Sequence, residues 1–286
     1  MPAQLTILGS KGGPAIRPGG PMPTSSLLEI AGRNIVVDCG LGVTRSLVAT
    51  GMNLKMLDLI FITHLHSDHV LELGALIHTA WTTGITTPIH VYGPPGIEAY
   101  WQGFMASMAF DCGIRVIDEG RIPINELVHI HTYTEGMVVQ LDTLRVDALR
   151  VVHPPVHECF ALRFGSDVQI TFSADTCYHP PLIDFARYSD ILVHEAMLVA
   201  GLDALVTKTG GGDKLRNHLL ASHTTAEDVA RLATAAEVKH LVLHHLVPAD
   251  DPQFGESDWL TAVRPHWHGP LSIGRDGLVV STPATN

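Results

Sequence analysis

A chain of 286 residues has room for one large α/β core or two modest ones, and 46% hydrophobic against 16% charged residues excludes a disordered chain. A formal net charge of −11 argues against a surface built to grip nucleic-acid phosphates or anionic lipid, which need clustered Lys and Arg. No apolar run approaches the roughly 18 residues of a membrane span and no secretory signal is visible, so a soluble cytoplasmic protein is expected.

In chain order, residues 4–9 read as a short strand running into Gly9-Ser10-Lys11-Gly12-Gly13-Pro14. That order is not the GxxxxGK[ST] of a phosphate loop, so its glycines are assigned to tight turns and close backbone approach. Residues 26–30 and 34–38 read as paired strands closed by Asp38-Cys39-Gly40, and 43–50 as a helix. The apolar run 57–62 predicts a buried strand. It is followed by Thr63-His64-Leu65-His66-Ser67-Asp68-His69, four potential metal ligands within six residues. His64 and His66 are two apart, so in extended backbone they point to one side and can share an ion. Asp68 and His69 come after the chain begins to turn and can face a second ion beside the first. Imidazole with carboxylate suits zinc, manganese or iron better than calcium or magnesium.

Residues 70–81 have apolar side chains at helical spacing, 88–92 read as a strand and 97–109 as a helix. The aromatic and methionine stripe Tyr100, Trp101, Phe104, Met105, Met108 and Phe110 is read as core or dimer contact. Residues 122–172 alternate apolar and polar positions, which predicts several antiparallel strands. The remainder returns to helix–strand alternation: 181–188 helix, 190–194 strand, 225–236 helix, 238–244 strand. Strands with helices between them in both halves predict two packed sheets with helices outside. Three further candidate ligands, His153, Asp175 and His245, each lie just past an apolar strand, where ligands of layered α/β sites gather. The four cysteines, Cys39, Cys112, Cys159 and Cys177, show no CxxC spacing and are expected to be free thiols in a reducing compartment.

The order HxHxDH, a lone His, an Asp after a strand and a His after a late strand resembles the metallo-β-lactamase fold superfamily of metal-dependent hydrolases. The resemblance covers essentially the whole chain. Leu8-Gly9-Ser10-Lys11-Gly12-Gly13, Asp38-Cys39-Gly40, His194-Glu195-Ala196 and Ser222-His223-Thr224-Thr225 resemble the ribonuclease Z and arylsulfatase-like branch in particular. It implies an α/β fold, a four-layer αβ/βα sandwich, with residues 1–286 as a single domain of two related halves and two divalent metals at one edge. By the same resemblance His64, His66 and His153 hold one metal, Asp68, His69 and His245 the other, and Asp175 bridges. Zinc is the expected metal, with manganese or iron(II) as alternatives. Asp68 then orients the metal-activated water or takes its proton. His223 acts as proton donor with Glu195 fixing its tautomer, and Asp38 supports a ligand histidine. Tyr178, three residues after Asp175, matches a substrate-polarising tyrosine of the superfamily's lactonases.

The substrate expected from these features is a small organic ester: a sulfate or phosphate ester, a carboxylic ester or a lactone. A nucleic-acid substrate is not expected, because no basic, Gly- and Pro-rich arm of the ribonuclease Z kind is found and the chain is acidic. The alternatives are a ribonuclease Z-like phosphodiesterase acting on RNA and a non-hydrolytic metal-binding or redox member. The substrate pocket is expected between Trp81, the helix Trp101 to Phe110 and a mobile loop at 206–216 carrying Lys208, Lys214 and Arg216. A homodimer follows from the resemblance alone.

Overall fold

A computed structural model describes residues 2–283 of the chain. The first sheet contains β1 (Gln4–Gly9), β2 (Ser25–Ile30), β3 (Arg33–Cys39), β4 (Leu59–Phe61), β5 (Ile89–Gly93) and β6 (Val128–Thr132), with β14 (Val279–Ser281) on the outer edge of β1. The second contains β7 (Gly136–Leu141), β8 (Leu144–Arg150), β9 (Phe160–Gly165), β10 (Gln169–Phe172), β11 (Ile191–Met197), β12 (Leu241–Val247) and β13 (Leu271–Ile273). Each sheet is antiparallel over one half and parallel over the other, the change falling at β3 and at β10.

Period-two alternation sorts the strand residues between layers. In β4, Leu59 and Phe61 enter the core between the sheets, while Ile60 and the following Ile62 face the helices. In β11, Ile191 and Val193 enter the same central core, and Leu192 and Ala196 meet the helix layer. Helices Leu73–Thr83 and Ile97–Ser107 cover the first sheet; helices Ala226–Ala235 and Glu256–Val263 cover the second. The result is helix, sheet, sheet, helix: the four-layer sandwich expected from the sequence.

Several local expectations are corrected. β6 pairs parallel with β5 and belongs to the first sheet, so residues 122–172 are not wholly antiparallel. The helix expected at 70–81 is two pieces, Ser67–Val70 and Leu73–Thr83. A further amphipathic helix, Ala109–Glu119, follows Ile97–Ser107. Segment 206–216 is no loop: helices Leu202–Thr209 and Gly212–Ser222 occupy it, joined at Gly210, whose φ of 79° ends the first helix in the left-handed manner glycine permits.

Phe61 links the layers. Its ring stacks on Tyr92 at 4.7 Å and meets Phe164 of the opposite sheet edge-on at 5.2 Å, fully buried. Phe61→Ala is expected to lower stability by about 3–5 kcal/mol in urea denaturation. A loss under about 1 kcal/mol would show that the sheets do not depend on this contact.

Candidate metal centre

The histidine cluster is placed by the end of β4. Thr63 donates its N–H to Asp38 Oδ1 (2.8 Å), which fixes the exit of the strand. His66 then caps the short helix Ser67–Val70, whose first turn carries Asp68 and His69, the His69 ring lying 4.0 Å from that of His64. His153 follows β8, Asp175 follows β10, and Asp38 ends the parallel edge of β3. All seven candidate ligands therefore meet at one end of the parallel strands, and only His66 is not fully buried.

Two of the three donor groups hold the seven candidate ligands, and the third joins His223 to Asp175 and His245. His64, His66, His153 and Asp175 form one ligand group, and Asp68, His69 and His245 the other; within each, one ligand atom per residue lies within 4.8 Å of the rest. His66 Nδ1 is 3.1 Å from His64 Nε2 and 3.1 Å from His153 Nε2. Asp175 Oδ2 lies 3.7 Å from His64 Nε2 and His153 Nε2, 3.3 Å from His69 Nε2 and 3.1 Å from His245 Nε2. Atoms that share one zinc-sized ion at about 2.0–2.2 Å are about 3–3.5 Å apart, so most of these separations are edges of a coordination shell. Three imidazole nitrogens cannot satisfy one another, since one proton serves only one contact. His69 Nε2 and Asp175 Oδ1 have no hydrogen-bond partner at all, though both are buried. A cation in each group answers these orphaned atoms, and the residues fit it.

Protonation follows from the same surroundings. Burial, then the neighbouring His153, pushes His66 down to about 4, and burial likewise depresses His64 and His153, which leaves three neutral rings with lone pairs to share. Burial opposes a charge on His245 as well, but Asp175 and Asp68 outweigh it and push His245 up to about 10. Burial also opposes ionisation of Asp175, yet His245 and His69 hold its carboxyl well below the usual range. The second group thus attracts positive charge strongly. Partners outside the cluster set the ring orientations. His69 Nδ1 is 2.7 Å from Asp38 Oδ2, and His153 Nδ1 donates to the Ser222 carbonyl at 2.9 Å. Each leaves Nε2 for the ion.

His245 corrects one expectation. It does not follow its strand but lies within β12, as the extra residue of a bulge: Glu195 opposes His244, and Ala196 opposes Leu246. Its φ of 44° is the strain that re-aims the ring. His244 Nε2 donates to the Gly9 carbonyl (2.9 Å), so its role is structural. Gly12 packs against the His245 ring so closely that a Cβ there would come within 2.7 Å.

His223 is not one of the seven candidate ligands. It ends helix Gly212–Ser222, while Thr225 caps the next helix. Its Nδ1 is 3.1 Å from Glu195 Oε1, which also accepts the N–H of Thr176 at 2.9 Å. Burial disfavours the charged ring, but Glu195 overcomes this and raises its pKa. Its ring stacks on His245 at 5.4 Å, and its ligand nitrogen comes within reach of Asp175 and His245. Tyr178 is not brought in: it is 43% exposed and does not line the cavity.

The cavity beside the cluster has a volume of about 340 Å³. Its walls are only in part those expected. Segment 206–216 contributes Thr209 and Leu215, as expected, but Trp81 and Trp101 are buried between helices and sheet, and Leu205, His218, Leu219, Val247 and the Lys11–Ala15 turn complete the lining. Leu205, His218 and Leu219 lie just outside segment 206–216, and only the helices Leu202–Thr209 and Gly212–Ser222 bring them to the cavity. Lys11 was visible but was passed over once its glycines failed the phosphate-loop pattern.

The fold and this donor set define a metallo-β-lactamase fold, metal-dependent hydrolase of the ribonuclease Z branch. Residues 3–209 match the family described as anti-Pycsar protein Apyc1, and the chain belongs to that family. Over 277 residues it is 28% identical to the ribonuclease Z of Mycobacterium bovis (strain BCG / Pasteur 1173P2), covering 96% of both chains. The metallo-β-lactamase fold protein YhfI of Bacillus subtilis superposes with a TM-score of 0.71 at 20% identity, over 98% of this chain and 100% of that one. The short form of human tRNase Z gives 0.70 at 21%, with the same coverage. The expectation that nucleic acid is excluded as substrate is therefore corrected. Curated relatives along nearly the full length carry the name ribonuclease Z, and net charge is a poor guide when the recognised phosphate sits at a cationic centre.

Asp38→Asn keeps the acceptor for Thr63 and replaces the oxygen that faces His69 with an amide. Metal affinity in chelator competition is expected to fall about 10- to 100-fold with the fold retained. Unchanged affinity would remove Asp38 from the account.

Proposed function

We propose that the protein is a binuclear phosphodiesterase that hydrolyses ribonucleotide phosphodiester bonds, with RNA as the first substrate to test. The observation that carries this reading is the His223–Glu195 pair. It lies outside the seven donors, faces the same cavity, and holds a buried imidazole whose proton affinity is raised. A phosphodiester needs such a proton donor because its leaving group is a poorly acidic alcohol. The ribonuclease Z relatives support the bond, and their coverage of both chains supports carrying it over.

We assign zinc to both positions on the donor chemistry, five imidazoles and two carboxylates. Bound ions of this type lower the pKa of water towards 7 and polarise phosphoryl oxygens. The chain itself supplies the rest. Asp68, whose Oδ2 accepts the Gly13 N–H at 2.7 Å, is fixed to orient the attacking water or accept its proton. Glu195 holds His223 with Nδ1 protonated, so that Nε2 delivers its proton to the departing oxygen. Tyr178, the residue that suggested a lactone, has no contact with this machinery, so small carboxylic esters and lactones are not favoured.

Four free cysteines suit a reducing compartment, and no described helix is long and apolar enough to cross a membrane. The matching change from antiparallel to parallel pairing in both sheets supports one domain of two related halves. Phe110, Ile114 and Ile117, exposed along helix Ala109–Glu119, support a homodimer through that face.

With an RNA oligonucleotide, cleavage is expected to disappear on chelation and return with zinc. His223→Ala should keep its metals and lose about 10²- to 10⁴-fold in kcat on RNA, but much less on bis-p-nitrophenyl phosphate, whose leaving group needs no proton. Equal losses on both substrates would refute the proton-donor role; no cleavage of RNA by the metal-loaded protein would refute the substrate.

A further inference from the structure

The turn after β1 buries a cation for which the metal cluster has no use. Lys11 is 4% exposed. Its ammonium donates to the carbonyls of Gly12 (3.1 Å) and Gly13 (3.0 Å), two of its three N–H groups. No carboxylate pairs with it among the described residues. The nearest candidates are engaged elsewhere: Asp250 with Arg17 at 3.0 Å and Lys208 at 3.5 Å, Asp68 with Gly13 and His245. An unpaired buried ammonium is costly, and a fold tolerates it where something else supplies the counter-charge.

The backbone holds this cation in place. Lys11 N–H donates to the Met22 carbonyl (3.0 Å), its carbonyl accepts the Thr24 hydroxyl (3.1 Å), and the residue bridges Pro23 on one side and Leu246 of β12 on the other. The following residues pack directly on metal ligands, Gly12 against His245 and Gly13 on Asp68. Lys11 lines the same cavity as His66, His153, Asp175 and His223. A fixed positive charge therefore borders the space where substrate must sit, on the side of the Asp68 and His245 donors.

We propose that Lys11 contacts the substrate's phosphoryl group, its remaining N–H bonding a non-bridging oxygen, and that this selects anionic phosphate esters over neutral esters. The inference rests on the phosphodiesterase reading and names the charge recognition within it. A phosphodiester carries one negative charge in the ground state and more on its equatorial oxygens as water adds, so a held ammonium binds both states and favours the second. The sequence alone hid this residue because it stands in an unfamiliar order among glycines.

The test needs no turnover, so it stands apart from the choice of RNA as substrate. Inorganic phosphate is titrated by calorimetry into the metal-loaded wild type and Lys11→Met, with metal content and melting temperature recorded for each. The expected result is phosphate binding weaker by about 10- to 100-fold in Lys11→Met at unchanged metal content, the size of a lost charge-assisted hydrogen bond. Affinity within twofold of wild type would overturn the proposal. Should Lys11→Met lose metal or fold, the wild type decides alone. The chain has five lysines, so ¹⁵Nζ-lysine NMR resolves few signals, and the one absent from Lys11→Arg is that of Lys11. That signal shifts on phosphate addition if Lys11 touches the anion, and a signal unmoved at saturation rejects the contact.

Discussion

Seven donors forced into one buried volume set the terms for the rest of the molecule. Asp175 Oδ2 is at most 3.7 Å from four imidazole nitrogens that come from three different segments. Without cations the lone pairs of His64, His66 and His153 repel, and the orphaned atoms of His69 and Asp175 go unsatisfied. Cations held by the two groups would relieve both, with Asp175 placed near the donors of each. Part of the stability of this end of the fold would then be metal-binding energy, linking loading to folding.

The backbone shows what the arrangement demands. Asp38, Ala174 and His245 adopt left-handed φ angles of 60°, 55° and 44°, and each either supports the cluster, belongs to it or adjoins a member. Such angles cost of order 1–3 kcal/mol each outside glycine, and they persist where packing and hydrogen bonding over-determine them. Here the parallel strand ends supply that rigidity. Glu195 couples His223 to the same frame, since its Oε1 takes both the Thr176 amide beside Asp175 and the His223 ring. A movement of Asp175 would therefore be felt at His223.

Much of this was legible in the sequence, for reasons that differ by residue. His64, His66, Asp68 and His69 are local to one strand–turn–helix, so spacing alone implies convergence. His153 and Asp175 could be placed because strand ends collect ligands in layered folds. His245 follows from the family pattern, but the bulge that aims it depends on pairing with β11, which the sequence of β12 does not encode by itself. The direction of β6 was lost similarly: an alternating strand looks alike in parallel and antiparallel neighbours, and only the β5 partner decides. The cavity walls were legible only in part: segment 206–216 lines the cavity through Thr209 and Leu215, but as helix rather than loop. Gly210-Gly211-Gly212 reads as loop, whereas the glycines end one helix and admit the next, bringing Leu205, Leu215 and His218 to the cavity beside the donors.

Charge was the weakest guide. A net −11 describes the whole surface, while recognition of a phosphate depends on a few groups inside one cavity. The shared role of Asp175 is the claim on which site, proton donor and strained backbone all depend. Anomalous diffraction at the zinc edge from crystals of the zinc-loaded protein tests it most directly. Two peaks about 3.5–4 Å apart are expected, one among His64, His66 and His153, the other among Asp68, His69 and His245, with Asp175 touching both. A single peak, or a second ion held without Asp175, would contradict the account.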